Sequence, residues 1–282
     1  MQTGKRNIAA LLIAGLLMLN GCCAERLYPA GVSLTIEVIT EDVRAQALSA
    51  AADLSESMEK KPRVLIYHTH TWEAYEMTEN AQYTPTERWR TKDEQHNVVR
   101  VGERLAECLR EQGFDVTHDR TAFEPPNLSA SYARSLQMLE ARLDGGETYD
   151  YIFDVHRDAY SGLYNGANSV VIGDERAAYV MMLVGKGTGE TGSGFDERPD
   201  WPQNLELAKK ITDGMNLCAE GISRDVKIKT GRFNQHVSTG ALLIEIGNNQ
   251  NTLEEALASC PVIAQAIAGV HFGLPSDQLA HM

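Results

Sequence analysis

The run Val64-Leu65-Ile66-Tyr67-His68-Thr69-His70-Thr71 decides the fold. Its first four residues are apolar without alternation, as in a strand buried on both faces of a parallel sheet. The run then delivers two histidines at its carboxyl end, the strand-to-loop junction where a metal hydrolase places a first ligand. Two further stretches repeat the pattern. Asp154-Val155-His156-Arg157-Asp158 closes an apolar run that starts at Tyr151, and Leu242-Leu243-Ile244-Glu245 sets an acid at the end of a third. Three apolar strands tipped by ionisable groups define a candidate site.

Outward from these strands, short apolar runs alternate with helical patterns from Pro62 onward. That alternation specifies an α/β domain, a twisted, mostly parallel sheet flanked by helices. The expected strands are 63–67, 115–118, 151–155, 169–172, 180–184, 226–229 and 241–246. A helix over 94–112 puts Val98, Val101, Leu105, Cys108 and Leu109 on one face and stops at Gly113. Tyr132, Leu136, Leu139 and Leu143 form a second stripe, and Ala208, Ile211, Met215, Cys218 and Ile222 a third. The last helix opens on a capping box, Thr252-Leu253-Glu254-Glu255, and Pro261 is expected to interrupt or restart it. Residues 72–92 hold no helical period and suit a loop bordering a substrate cleft. Gly187 to Gly192 fits G-x-G-x-x-G, but no helix opens there, so a dinucleotide site is rejected.

The ends and the charge bound the setting. Lys5 and Arg6 precede an apolar stretch, Ile8 to Leu19, that runs into Leu19-Asn20-Gly21-Cys22. This is the pattern of a lipoprotein-type signal segment with Cys22 as the lipidated residue, an uncleaved anchor helix being the alternative. The expected organisation is a signal peptide at 1–21, a tether at 22–61, a catalytic domain at 62–274 and a tail at 275–282, outside the cytoplasm and attached to the membrane. A net charge of −13 argues against nucleic acid or an anionic membrane surface as the main partner. Past Cys22 and Cys23 only Cys108, Cys218 and Cys260 remain, which makes neither a disulfide framework nor a cysteine-based zinc site.

A zinc hydrolase needs two or three histidine or carboxylate ligands, an open position and a nearby carboxylate to manage the proton. The strand-end candidates are His68, His70, His156 and Glu245. His68 and His70 share a face in a continuing strand, so period alone does not choose between them. His70 lies closer to the loop, which leaves His68 as a partner behind it. Asp93, before the first helix, is the candidate third ligand, with His96 as its alternative. The competing reading of Asp93 is a helix N-cap. Glu245 sits inside Ala-Leu-Leu-Ile-Glu-Ile-Gly, where a buried acid costs several kcal/mol without a partner or a role. Glu73, in the loop after His70, is the next candidate for its task. The chain has no His-Glu-x-x-His helix, no Gly-x-Ser-x-Gly elbow and no Walker loop.

These residues also carry a resemblance. Tyr67 to Tyr75, Asn97 to Gly102, Phe153 to Asp158, Trp201 to Ala208, Arg232 to Gln235 and Leu242 to Asn251 resemble, in order, successive blocks of the stage II sporulation protein P family. The likeness runs from Arg63 to Gly269. That family is similar to the zinc-dependent N-acetylmuramoyl-L-alanine amidases. The resemblance implies a peptidoglycan hydrolase that cuts the amide between the glycan lactyl group and L-alanine, with endopeptidase activity on cross-links. It further implies a role in septal wall remodelling during engulfment, beside a stage II sporulation protein D-like lytic transglycosylase. Carried over by position, His70, Asp93 and His156 match the Zn²⁺ ligands and Glu245 the catalytic acid. Arg157 is then expected to hold a stem-peptide carboxylate or an inner acid, and Asp158 to orient a ligand. A non-catalytic wall-binding or scaffold protein on the same fold is the alternative class, and zinc content of the purified protein separates the two.

Overall fold

The computed structural model describes residues 60–159, 168–187 and 200–274. The strands are β1 (Arg63–Tyr67), β2 (Asp115–His118), β3 (Tyr151–Asp158), β4 (Ser169–Ile172), β5 (Glu175–Ala178), β6 (Val180–Gly185), β7 (Lys227–Lys229) and β8 (Ala241–Asn248). The helices are α1 (Val98–Glu111), α2 (Ser131–Asp144), α3 (Trp201–Cys218) and α4 (Leu253–Phe272). Six strands form one sheet in the order β2-β1-β3-β8-β6-β7, and β4 and β5 form a separate hairpin. Only the β6–β8 pair within the large sheet is antiparallel, so the expected α/β architecture with a mostly parallel sheet is present.

The unbroken apolar character of β1 has a direct cause. Val64 and Ile66 enter a large core with Val98, Val101 and Leu105 of α1, while Leu65 and Tyr67 enter a smaller one with Ile152 and Leu139 of α2. Both faces are covered, so alternation would leave a polar row without water. The α4 helix is long and apolar enough by composition to cross a membrane, yet most of it is buried in the large core.

Several element limits differ from the sequence expectation. The first helix begins at Val98, not at 94, because Asn97 accepts a bond from the Val99 amide and caps it. Pro261 does not interrupt α4, which runs unbroken from Leu253 to Phe272 with the proline on its exposed side. The capping box is present, with Thr252 and Glu255 bonding reciprocally. β5 has no alternation and no β-branched residue, Glu-Arg-Ala-Ala, and is a strand only through its pairing with β4. β3 and β8 continue past their expected ends, so His156 lies within a strand and not beyond it, and Glu245 lies within its strand as expected. The readings for residues 1–59, Cys22 included, for most of the Gly187 to Gly192 run and for 275–282 fall outside the described residues.

β1 ends at Tyr67, and the turn that follows separates the two histidines. His68 is fully buried, its Nδ1 2.8 Å from the Val155 carbonyl and its Nε2 2.9 Å from Nε2 of His118. A ring that donates from Nδ1 keeps a lone pair on Nε2, which takes the His118 proton. Burial, the largest influence on each, brings the pKa of His68 down to about 4 and that of His118 to about 3, so both rings are neutral at pH 7. Gly102 of α1 makes room for this pair. A Cβ there would lie 2.5 Å from Cε1 and Nε2 of His68 and 2.9 Å from Nε2 of His118. Because His68 is clamped at both nitrogens, Gly102→Ala is expected to destabilise the fold by about 1–3 kcal/mol. Chemical denaturation checks this, and an unchanged midpoint would mean the rings yield freely.

Candidate metal centre

Residues Asp154 and His156 alternate with Phe153 and Val155, which enter the large core, and so project from the opposite face, on the side of α2. Glu245 alternates in the same way with Ile244 and Ile246. The parallel β3–β8 register pairs His156 with Glu245 directly. The turn after β1 brings His70 to this group, its ring edge-on to that of His156 with centroids 5.3 Å apart and edge-on to Tyr132 of α2 at 5.5 Å. Glu73 closes that turn, its amide bonding to the His70 carbonyl, and its Oε2 lies 3.3 Å from Nδ1 of His156.

Around this group the neighbours are buried and charged. Asp154, 1% exposed, accepts bonds from the Thr69 amide at 2.8 Å and the Thr69 hydroxyl at 2.7 Å. Its Oδ1 also lies 2.8 Å from Nε2 of His156, an ion-pair distance, although the ring N–H is aimed off the oxygen. Glu124 accepts from the Trp72 amide, pairs with Arg90 and stands 4.0 Å from Nδ1 of His70. Arg157 donates its amide to Glu73 and its guanidinium to the carbonyls of Ala74 and Trp89, which fixes the loop onto β3.

Burial and charge set the protonation of these groups in opposite directions. Burial resists ionisation of Glu73, but the hydrogen bond and charge of His156 outweigh it and bring its pKa down to about 2. Burial likewise resists protonation of His156, and the carboxylates of Asp154 and then Glu73 override it, raising the pKa well above the usual value. His70, with burial dominant and His156 adding to it, falls to about 4. Glu245 lacks any comparable cation contact, and burial pushes it up to about 8. Two carboxyls within one site thus favour opposite charge states.

The sequence candidates separate on this geometry. His70, Glu73 and His156 come together, with Glu245 across the ladder. Asp93 is bonded instead to the Gln95 amide and the His96 ring, its side chain 44% exposed. It does not cap α1, a task that Asn97 performs. His68 lies on the α1 side of the sheet, and Arg157 holds loop backbone. Asp158 ends β3, its carbonyl accepting from the Asn249 amide. Asp154, Glu124 and Tyr132 had not been singled out. For Asp154 the signal was present, since two residues before His156 on a strand is the same face.

Among the described residues no three histidine, cysteine or acidic side chains stand as a preformed metal cage. The donor set nonetheless fits a zinc ion. Two ligand atoms on a tetrahedral zinc with bonds of about 2.0 Å are about 3.3 Å apart. That is the separation of Glu73 Oε2 and His156 Nδ1. Nδ1 of His70 and Oε2 of Glu245 are both buried with no hydrogen-bond partner among the described residues, as atoms reserved for another group would be.

Two imidazoles and several buried carboxylates, gathered at the carboxyl ends of the central strands β1, β3 and β8 of a mostly parallel sheet, form a candidate metal centre. The chain belongs to the stage II sporulation protein P family, whose profile matches residues 33–268. It is 25% identical over 223 residues to stage II sporulation protein P of Bacillus subtilis (strain 168), a match covering 75% of this chain and 52% of that protein. The chain therefore spans about half the length of that relative. Among solved structures it is similar to an N-acetylmuramoyl-L-alanine amidase from Clostridium difficile 630, with a TM-score of 0.44, 14% identity and coverage of 76% of this chain and 96% of the other. It is also similar to the N-acetylmuramoyl-L-alanine amidase AmiC2 of Nostoc punctiforme, with a TM-score of 0.43, 15% identity and coverage of 76% and 98%.

The raised pKa of Glu245 has a measurable signature in chelator-treated protein. Its folded value of about 8 lies above the ordinary 4.5, so its contribution to stability is full below 4.5 and is lost as pH rises toward 8. Glu245→Gln carries no such dependence. The melting temperature of the variant relative to wild type is expected to rise steadily from pH 5 to pH 8, and a flat difference would mean Glu245 is solvated.

Proposed function

We propose that this chain is a zinc-dependent N-acetylmuramoyl-L-alanine amidase acting on peptidoglycan, with His70, Glu73 and His156 as metal ligands and Glu245 as the proton shuttle. The observation that carries the reading is the meeting of His70, Glu73 and His156, from the β1 turn and β3, opposite a buried carboxyl with an unpaired oxygen. Family membership supports it. Zn²⁺ would supply Lewis acidity, polarising the scissile carbonyl and lowering the pKa of water toward about 7.

The chain's own residues divide the remaining work. Glu73, ionised and held by the Arg157 amide, would bring one negative charge to the metal beside two imidazoles, His156 giving up its extra proton when the metal binds. Glu245, mostly protonated in the metal-free site, would be ionised by the positive charge of a bound Zn²⁺ and then takes the proton from the attacking water and hands it to the leaving amine. Its partnerless Oε2 is the atom for both transfers. Septal wall remodelling in sporulating cells, a lytic transglycosylase partner, cleavage of cross-links and membrane attachment through Cys22 complete the proposal. The domain limits given above belong to it as well.

Purified full-length protein is expected to hold near-stoichiometric zinc, and His156→Ala to lose most of it. Glu245→Gln should keep its zinc while release of stem peptides from peptidoglycan, read by mass spectrometry, falls by about two to four orders of magnitude. Zinc retained in His156→Ala, or full turnover in Glu245→Gln, would overturn the assignment. Between the two candidate carboxylates, Glu73→Gln should weaken zinc binding and Asp93→Asn should leave it unchanged. The reverse result would restore Asp93 as the ligand.

Lipidation at Cys22 is tested separately. The basic, apolar start followed by Leu19-Asn20-Gly21-Cys22 motivates it. Cys22→Ser is expected to accumulate as a larger, unprocessed form in cell fractions. Normal processing of that variant would exclude the lipoprotein route.

A further inference from the structure

We infer that Asp154 is the positioning residue of this centre, holding the His156 ring with Nδ1 turned to the metal position and fixing the turn that presents His70. The inference rests on the zinc-amidase reading and adds to it a residue that none of the ligand roles requires. One buried carboxylate meets both histidine-bearing segments. On one side it stands 2.8 Å from Nε2 of His156. On the other it takes both the amide and the hydroxyl of Thr69, the residue before His70.

The chemistry of the acceptor decides which ring nitrogen is left for a metal. An ionised carboxylate only accepts, so a lone pair on Nε2 would face oxygen lone pairs across 2.8 Å. Nε2 must carry its proton, and the neutral ring then keeps its lone pair at Nδ1. That is the atom beside Glu73.

The Thr69 end is anchored as firmly. Its hydroxyl lies 2.9 Å from the Ser135 hydroxyl of α2, and Asn234 donates both to that hydroxyl and to the Tyr132 carbonyl, each at 2.9 Å. The chain His156, Asp154, Thr69, Ser135, Asn234 therefore ties β3, the His70 turn, α2 and the loop before β8 through side chains. A purely structural residue would not need the charge. An asparagine at 154 would accept from the Thr69 amide through its oxygen and donate to the Thr69 hydroxyl through its nitrogen, keeping both bonds. Its oxygen, at the place of Oδ1, would also still face Nε2 of His156, so what it would lose is the negative charge behind the ring.

The test uses the full-length protein. Asp154→Asn, melting near wild type when metal-free, is expected to bind zinc about 10–100-fold more weakly in competition with a chelator, the usual effect of removing a carboxylate behind a ligand histidine. Unchanged affinity would overturn the inference. If Asp154→Asn fails to fold, Thr69→Val and Thr69→Ser carry the same titration, with affinity lost in the first and kept in the second. Equal affinity in both would again overturn it. A second readout needs no metal, namely the His156 Nε2 proton resonance in chelator-treated protein, expected in wild type and absent in Asp154→Ala, which removes the acceptor. Should wild type bind no zinc, the amidase reading falls. A resonance lost in the variant would then still uphold Asp154's hold on the ring, and one that persists would overturn it.

Discussion

The β3–β8 ladder is covered by helices on both faces, and that double burial governs everything charged upon it. Most side chains on either strand are almost wholly removed from water, so an ionisable group there must find a partner or lose its charge. Asp154, His156 and Glu73 take the first course, the two carboxylates sharing the charge of one ring. Glu245, one strand away in the same register, takes the second. The contrast between these acids comes from the number of cations and donors within reach, not from any difference in depth.

The same burial explains which parts were legible in the sequence. Strands covered on both sides are written as continuous apolar runs, and Val64 to Tyr67, Tyr151 to Val155 and Leu242 to Ile244 are unmistakable in that sense. An ionisable residue interrupting or ending such a run is conspicuous, so His70, His156 and Glu245 could be picked out from one chain. Period alone did not separate His68 from His70, although nearness to the loop favoured His70. His68 and His70 share a face in an ideal strand, and only the end of β1 at Tyr67 sends one ring toward α1 and the other toward His156.

Helix ends failed for a related reason. Asp93, Asn97 and Thr91 all have side chains able to bond to a nearby amide, and local sequence does not rank them. The tertiary contact that fixes the choice is the bond from the Val98 amide to the Glu73 carbonyl, which draws the start of α1 to the loop and leaves Asn97 at its cap. Glu124 reaches the centre from an irregular segment far along the chain with no periodicity to announce it, and Tyr132, legible as a member of the α2 stripe, gave no sign that its ring would meet His70. β5 lacked every compositional mark of a strand.

Arg157 has a consequence for how the molecule can diversify. Consecutive strand residues point to opposite faces, yet His156 and Arg157 both engage the loop after β1, one through Glu73 and the other through Ala74 and Trp89. The loop is closed at its neck as well, by the bond from the Ala74 amide to the Trp89 carbonyl and the bridge between Glu73 and Arg90. All of these stitches lie at its two ends. The stretch between them, from Glu76 to Arg88, is mostly exposed and can change in length and character between relatives while the neck keeps its shape. The exposed middle of the loop and the residues that hold the centre are thus separate, joined at a seam only a few side chains wide.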